Sequence, residues 1–322
     1  MTNRNTFYNQ DCIQGCEKNI PDSSVDLIIT DPPYGIRGDQ LHKHYNRDEG
    51  YVLDGYIEIP ESEYGEFSRQ WINQAERILK PGGAAYILSG YTNLFHILAA
   101  LRNTHLQEVN HIIWKYNFGV YTRKKFVSSH YHILHYVKPG APRTFNTYCR
   151  YGPQEKDNEG GSRNYQDRED VWWINKEYKP GQRKNKNELP LELLQKIILY
   201  SSNEGDLVCD LFLGSFSTAR AAIGLGRYAT GFEKSGEVYE HHAEEIRQVE
   251  FGEMLADLRR PEVQLPENQG KPWSAEEKQL LRSRFQDLAN RENSKQEIIT
   301  ALMGEFGRGK FSIQKMLKHL EI

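Results

Sequence analysis

Asp31-Pro32-Pro33-Tyr34 places a carboxylate, two rigid prolines and an aromatic ring in four consecutive positions. Proline loses its backbone donor but keeps its carbonyl acceptor. Asp31 Oδ and the Pro32 carbonyl are therefore two acceptors beside the face of Tyr34. Such a group suits a planar heterocycle with an exocyclic amine, whose nitrogen is a poor nucleophile because its lone pair is delocalised into the ring. Accepting both amine hydrogens draws that nitrogen towards sp³ and frees the lone pair for attack on an electrophile. A second group stands far along the chain: Asp210-Leu211-Phe212-Leu213-Gly214-Ser215, with Glu233 nineteen positions after Gly214. A glycine turn followed at that spacing by an acid suits a nucleoside: the turn admits the ligand to backbone N–H groups and the acid bonds ribose hydroxyls. Positions 216 and 219 are Phe216 and Ala219, so the G-x-G-x-x-G that cradles a dinucleotide is absent. The adenosine part of S-adenosylmethionine, with ribose hydroxyls and no pyrophosphate, fits better.

The elements that must hold these groups read as α/β. Val25 to Thr30 is a continuous apolar run, which marks a strand covered on both faces, and the prolines end it. Thr6 to Asp11, Ala84 to Leu88, Asp206 to Phe212 and Tyr228 to Glu233 are further strands; Val109 to Tyr116 and Tyr131 to Val137 read as an antiparallel edge pair. Helical spacing covers Glu66 to Leu79, which Pro81-Gly82-Gly83 should close, and also Asn93 to Arg102, Leu191 to Tyr200, Ser217 to Leu225 and Gly236 to Phe251. The expectation is a seven-stranded, mostly parallel sheet with both groups at its carboxyl edge, where open α/β sheets bind ligands. Gly35 to Pro60 is a long polar connection of the kind that carries function. Lys138 to Asn187 is a polar insert whose apolar island is Val171-Trp172-Trp173-Ile174.

At 322 residues and a net charge of −3, the chain can bury a large core and is no polycation, so a nucleic-acid surface must be local. Cys12, Cys16, Cys149 and Cys209 form no CxxC pair, which favours reduced thiols. With no signal peptide and no long apolar span, a soluble cytoplasmic protein without membrane contact is expected.

The blocks "NQDCIQG…SSVDLIITDPPYGI", "ILKPGGAAYI", "HIIWKYN" and "GDLVCDLFLGS…AAIGLGRYATGFE" resemble, in that order, the circularly permuted β class of DNA amino-methyltransferases. The resemblance runs from about Phe7 to Val249 and implies a Rossmann-like, AdoMet-dependent methyltransferase fold over residues 1–260, with 138–187 as the target-recognition region. It implies catalysis by Asp31, Pro32, Pro33 and Tyr34 on a base flipped out of double-stranded DNA. It implies a cofactor site for S-adenosylmethionine from Asp11, Cys12, Asp210, Phe212, Gly214, Ser215, Glu233 and Lys234, with Asp11 at the adenine and Glu233 at the ribose. The permuted order also requires Asp31 and Gly214 at neighbouring strand ends. Asp at the first motif position leans towards adenine N6; cytosine N4, an inactive DNA-binding protein of the same fold, and methylation of RNA or a protein glutamine stay open. A homodimer and a cognate restriction enzyme are partners that such a resemblance admits. The sequence departs from the class where Phe216 replaces a second glycine, and where Glu188-Leu189-Pro190 replaces a Lys-Pro.

Arg123, Lys124 and Lys125, with Lys179, Arg183 and Lys184, are the basic residues expected to follow phosphate, against the plain reading of solvated charge. Trp172 and Trp173 are expected to pack the insert, with filling the gap that a flipped base leaves as the alternative. His130, His132 and His135 have no carboxylate or cysteine at ligand spacing, so no metal is expected. Residues 261–272 read as a linker, and 273–322 as three short helices, either a helix-turn-helix or Myb/SANT-like module or an appendage for packing or dimerisation.

Overall fold

The computed structural model describes residues 4–33, 59–119, 121, 123–176, 188–263, 265–291 and 293–322. The chain divides into two compact units, Met1–Pro261 and Glu262–Ile322.

The first unit is built on one sheet. In chain order it runs β1 (Thr6–Tyr8), α1 (Cys12–Asn19), β2 (Val25–Thr30), α2 (Glu61–Ile78), β3 (Leu79–Ser89), α3 (Tyr91–Leu101), β4 (Gln107–Lys115), β5 (His130–Val137), α4 (Arg163–Asp167), β6 (Val171–Trp173), α5 (Leu191–Ser201), β7 (Leu207–Asp210), α6 (Ser217–Gly224), β8 (Tyr228–Phe232) and α7 (Gly236–Ile246). In space the order is β1-β8-β7-β2-β3-β5-β4-β6, with β5 antiparallel to both its neighbours and the other pairings parallel. From β2 the chain moves outward to β3, and from β7 it moves the other way to β8, so the sheet's direction reverses between β2 and β7. Helices α1, α2 and α3 pack on one face against Ile28, Ala85 and Ile87. On the opposite face α5 and α6 pack against Leu27, Ile29 and Tyr86. The alternation of β2 and β3 side chains between two covered faces explains why those strands read as unbroken apolar runs.

Two expectations change. Pro81-Gly82-Gly83 does not close a helix: α2 stops at Ile78 and these residues lie inside β3. Pro81 needs no donor there, Gly82 takes the left-handed region (φ 81°), and Gly82 N donates to the Lys138 carbonyl at 2.8 Å, so the ladder to β5 continues past the irregularity. The sheet also has eight strands rather than seven. Val171–Trp173 pairs in parallel with β4, so β4 and β5 are an antiparallel pair but not the sheet's edge. Trp172 is buried beneath the Lys196 ammonium, 4.5 Å from its ring centroid, whereas Trp173 is exposed. Asp167 at the end of α4 accepts from Tyr200 Oη at 2.7 Å and faces Arg150 Nε at 3.2 Å and Lys196 Nζ at 3.5 Å, tying the insert to α5.

The second unit is three helices, α8 (Ala275–Ala289), α9 (Lys295–Phe306) and α10 (Lys310–His319), closed around Leu281, Ile298, Ile299, Leu302, Phe306, Ile313 and Leu317. Capping boxes, Ser274 with Glu277 and Ser294 with Glu297, start α8 and α9. Arg308, in the turn before α10, is buried: its guanidinium bonds both oxygens of Glu277 at 2.9 and 3.0 Å and the Lys271 carbonyl at 2.6 Å, and stacks on Trp273 at 4.2 Å. Removing the buried cation leaves Glu277 only its capping bond from Ser274 N and takes the donor from the Lys271 and Pro272 carbonyls. Arg308→Ala should therefore weaken this unit by about 3 kcal/mol. Hydrogen exchange is expected to show faster opening of α8 to α10 while amides of β2, β3 and β7 keep their protection.

Candidate active site

The site begins with two strands that end side by side. β2 and β7 pair in register Leu27 with Val208 and Ile28 with Cys209, although 180 residues separate Thr30 from Asp210. Thr30 Oγ1 donates to Asp210 Oδ1 at 3.1 Å, and the Phe212 amide donates to the same oxygen at 3.0 Å. Asp31 and Pro32 leave β2 directly beyond this bond, and Asp31 faces Asp210 closely enough for its charge to act there. Burial is the main force on Asp210: it lifts the carboxyl to about 7, and the Asp31 charge pushes the same way. Strand ends thus bring the acid-proline motif to the glycine turn.

That turn is shaped by three residues. Leu213 N donates to the Phe232 carbonyl at 2.8 Å, Gly214 takes φ 49°, and Gly214 N donates to Glu233 Oε2 at 3.0 Å. Glu233 Oε1 accepts from Ser235 N at 2.7 Å, and burial raises the carboxyl from its ordinary value. Phe216, at the helix start, takes the left-handed region (φ 57°, ψ 20°), which a glycine would adopt without strain. Its ring is 0% exposed and lies between the sheet and α7, with Phe7 at 5.2 Å, Tyr239 at 6.0 Å and His242 at 6.1 Å between centroids. Ser215 is buried, and the half-buried Phe212 ring rests against Phe67 and Trp71 of α2.

Because β1 pairs with β8, Asp11 emerges beside Glu233. Asp11 caps α1 by accepting from Ile13 N at 3.0 Å, and its other oxygen faces Lys234 Nζ at 3.5 Å. Cys12 is buried in the core under α1, and burial pushes its thiol well up, so it offers the edge its backbone rather than its sulfur. Asn9, which the sequence did not single out, ties β1 to β8 by donating to the Glu233 carbonyl at 2.8 Å. Thr30 was missed as well; only the strand pairing reveals it. Each carboxylate oxygen has two lone pairs. Glu233 and Asp11 therefore keep acceptor capacity for ribose hydroxyls and an adenine amine after their protein bonds are made, and the donor set fits an adenosyl ligand.

Arg123, Lys124 and Lys125 are exposed in the connection from β4 to β5, which leaves the sheet at the same edge because β4 runs parallel to β2. Tyr121 and Phe126 of the same connection are well exposed, as is Trp173 at the end of β6, with Lys115 Nζ 5.0 Å over its ring. Tyr34, Lys179, Arg183 and Lys184 lie outside the described residues, as does most of the Gly35 to Pro60 connection. His111 Nε2 and His132 Nδ1 share a hydrogen bond of 2.8 Å, and burial with two neighbouring imidazoles lowers His132 to about 4. A histidine held neutral by burial and bonded to a neighbouring imidazole suits packing. Of metal-ligating types, His241, His242 and Glu245 cluster on α7, with Arg220 Nη2 3.3 Å from Glu245. Glu188, at the departure from the class, faces Arg220 Nη1 at 3.6 Å.

A family model described as DNA methylase matches residues 25–245. The chain is 33% identical over 245 residues to the Type II methyltransferase M.BamHI of Bacillus amyloliquefaciens, covering 72% of this chain but 55% of that protein. It is 30% identical over 236 residues to the Type II methyltransferase M.HpaI of Haemophilus parainfluenzae, covering 71% and 70%. The chain thus spans about half the length of the first relative and about two thirds of the second. Among solved structures, the fold is similar to an M1.HpyAVI–SAM complex (TM-score 0.51, 22% identity, 74% of this chain and 98% of that one). It is also similar to the cytosine-N4-specific PvuII DNA methyltransferase (TM-score 0.56, 14% identity, 80% and 96%).

Two outcomes test this geometry. Phe216→Ala should cost about 3–5 kcal/mol in urea unfolding, as a buried phenyl does. Phe216→Gly should cost about 1 kcal/mol less than alanine, because it releases the left-handed strain. For Asp210 the folded carboxyl lies near 7, above its unfolded value, so the folded state binds the extra proton. Its contribution is full below the unfolded value near 4 and is lost as pH rises through about 7. Asp210→Asn keeps the acceptor for Thr30 and Phe212 N, so it should gain stability relative to the parent between pH 5 and 8 in paired denaturation curves.

Proposed function

The chain belongs to the DNA methylase family, and on that premise we propose that it transfers a methyl group from S-adenosylmethionine to the exocyclic amine of a base in double-stranded DNA, adenine N6 ahead of cytosine N4. The observation that carries this reading is the Thr30–Asp210 bond, which sets the acid-proline motif beside the glycine turn. The cofactor, when bound, supplies an electrophilic sulfonium methyl. The carboxylates of Glu233 and Asp11 are the groups to hold its adenosyl part, with Lys234 beside Asp11, and Asp210 to Ser215 are the residues for its methionine end. Asp31 Oδ and the Pro32 carbonyl accept the hydrogens of the amine and orient its lone pair, and Tyr34 stacks on the base. Asp31 acts on a nitrogen that becomes cationic as it attacks, so its charge is worth most at the transition state.

Phe216, the feature that favoured a non-catalytic binding protein, is housed in the core, and the acids of the edge remain. That removes the motive for the inactive reading. The aspartate of the motif supports adenine, while the likeness to a cytosine-N4 enzyme keeps the second base in the test. A cytoplasmic location, where such an enzyme meets its DNA, belongs to this reading. Partnership with a restriction enzyme would follow from the Type II relatives, and a homodimer from the class that the sequence resembles. Among the described residues no helix is long and apolar enough to cross a membrane.

The test is transfer of labelled methyl from S-adenosylmethionine to mixed-sequence duplex DNA, followed by modification-sensitive sequencing. Asp31→Ala should lower kcat by about 10²–10³ while cofactor affinity, measured by calorimetry, stays within about twofold. A wild-type protein that binds DNA but neither binds the cofactor nor transfers methyl would overturn the proposal.

A further inference from the structure

The helical unit at the chain's end lies beyond the residues matched by the family model and is not used by the methyl transfer. Helix α9 ends at Phe306 and α10 begins at Lys310, so Gly307-Arg308-Gly309 is a three-residue turn. Gly307 caps α9 in the left-handed region (φ 55°, ψ 37°), and the bonds of Arg308 fix the turn against Glu277 and Trp273. Two helices joined by a short glycine-containing turn have the connectivity of a helix-turn-helix, in which the second helix enters the major groove.

The surface chemistry of α10 agrees. Ile313 and Leu317 face the core, and Phe311, Gln314, Lys315 and Lys318 recur at helical spacing on the other side. Helices α8 and α9 carry both signs of charge, but α10 has no acid and bears Lys310, Lys315, Lys318 and His319. Three arginines of the unit are committed to its fold: Arg284 Nε to Glu305 at 2.7 Å, Arg282 to the Leu320 carbonyl at 3.3 Å, and Arg308 as above. Phe311, in the first turn of α10, is 84% exposed. The amino ends differ in the same sense. Capping boxes close α8 and α9, whereas α10 starts at Gly309 with no side-chain cap and no acid in its first turn. Its first-turn N–H groups and the positive end of its dipole have no side-chain acceptor, which suits phosphate. A lysine-lined helix with a glutamine and an exposed ring has the donors and the apolar contact that base edges and thymine methyls accept.

We propose that the C-terminal unit is a second DNA-binding site, independent of the methyl-transfer centre, that lays α10 in the major groove of a duplex with Lys310, Lys315 and Lys318 on phosphate and Phe311 and Gln314 towards the bases. A protein partner with an acidic face is the rival occupant.

The experiment uses the full chain and fluorescence anisotropy on a mixed-sequence duplex across a salt series. Lys315→Ala/Lys318→Ala should weaken binding about tenfold and reduce the slope of log K against log salt by about 2, close to 0.9 for each lost phosphate contact. The charge-matched variant Lys18→Ala/Arg102→Ala, altered at the carboxyl ends of α1 and α3, should leave the slope unchanged. Phe311→Ala should weaken binding without lowering the melting temperature, which separates a contact from a fold role. An unchanged slope and affinity in the double lysine variant would overturn the proposal. Because the readout is binding, a change of slope in a protein that transfers no methyl would sustain this inference and defeat only the methyltransferase reading.

Discussion

The parallel pairing of β2 with β7 is the constraint on which the rest depends. It joins strands from opposite ends of the domain's sequence, and the Thr30–Asp210 bond closes the pair at the carboxyl edge. At the other end Asp26 does the same work, accepting from Leu207 N at 2.9 Å and from Lys80 Nζ at 2.7 Å, so three strands start in register from one carboxylate. Among the described residues, the helices that follow β2 and β7 cover opposite faces of the sheet, so the two strands end at a point where the chain turns away in two directions. A crevice there is a consequence of topology.

Charge is distributed in a way that matches the crevice. Asp31, Asp210, Glu233 and Asp11 follow four adjacent strands, and the cations of the same unit's β4–β5 connection, Arg123 to Lys125, stand on the far side of the sheet's edge. An acidic, partly desolvated pocket favours a cationic sulfonium and disfavours phosphate. On the proposed function, a duplex would be held by its backbone on the basic side and reach the acidic side only by an uncharged base. The high carboxyl of Asp210 comes mainly from its burial, with the nearby Asp31 charge adding to it.

Much of this was legible. The order of blocks placed the two motifs at neighbouring strand ends, and unbroken apolar runs marked strands covered on both faces. What escaped had a common cause. Pro81-Gly82-Gly83 carries the chemistry of a helix stop, yet pairing with β5 recruits it into a strand, and pairing is non-local. Val171–Trp173 is too short to announce a strand, and its state is decided by the open edge of β4, a property of the sheet rather than of those residues. Thr30 and Asn9 are ordinary polar residues until the topology gives them partners. Local pattern reports what a segment can do; the tertiary neighbour chooses.

Phe216 of the glycine turn and Gly231 of the neighbouring strand β8 show why a side chain is tolerable at one position and would not be at the other. At Phe216 the conformational demand is a positive φ, which any L-residue meets at a cost of about 1–2 kcal/mol. The ring more than offsets that cost, since full burial of a phenyl contributes about 1.5–3 kcal/mol and the αL backbone turns it inward, away from the edge. The demand at Gly231 is space. A Cβ there would stand 2.2 Å from the Asp210 carbonyl and 2.9 Å from the Leu213 side chain, both of which the loop needs in place. No rotamer relieves a clash with backbone. Glycine thus stands where a Cβ would collide with backbone, and a larger residue is accommodated where only a torsion is strained and the ring finds a buried place.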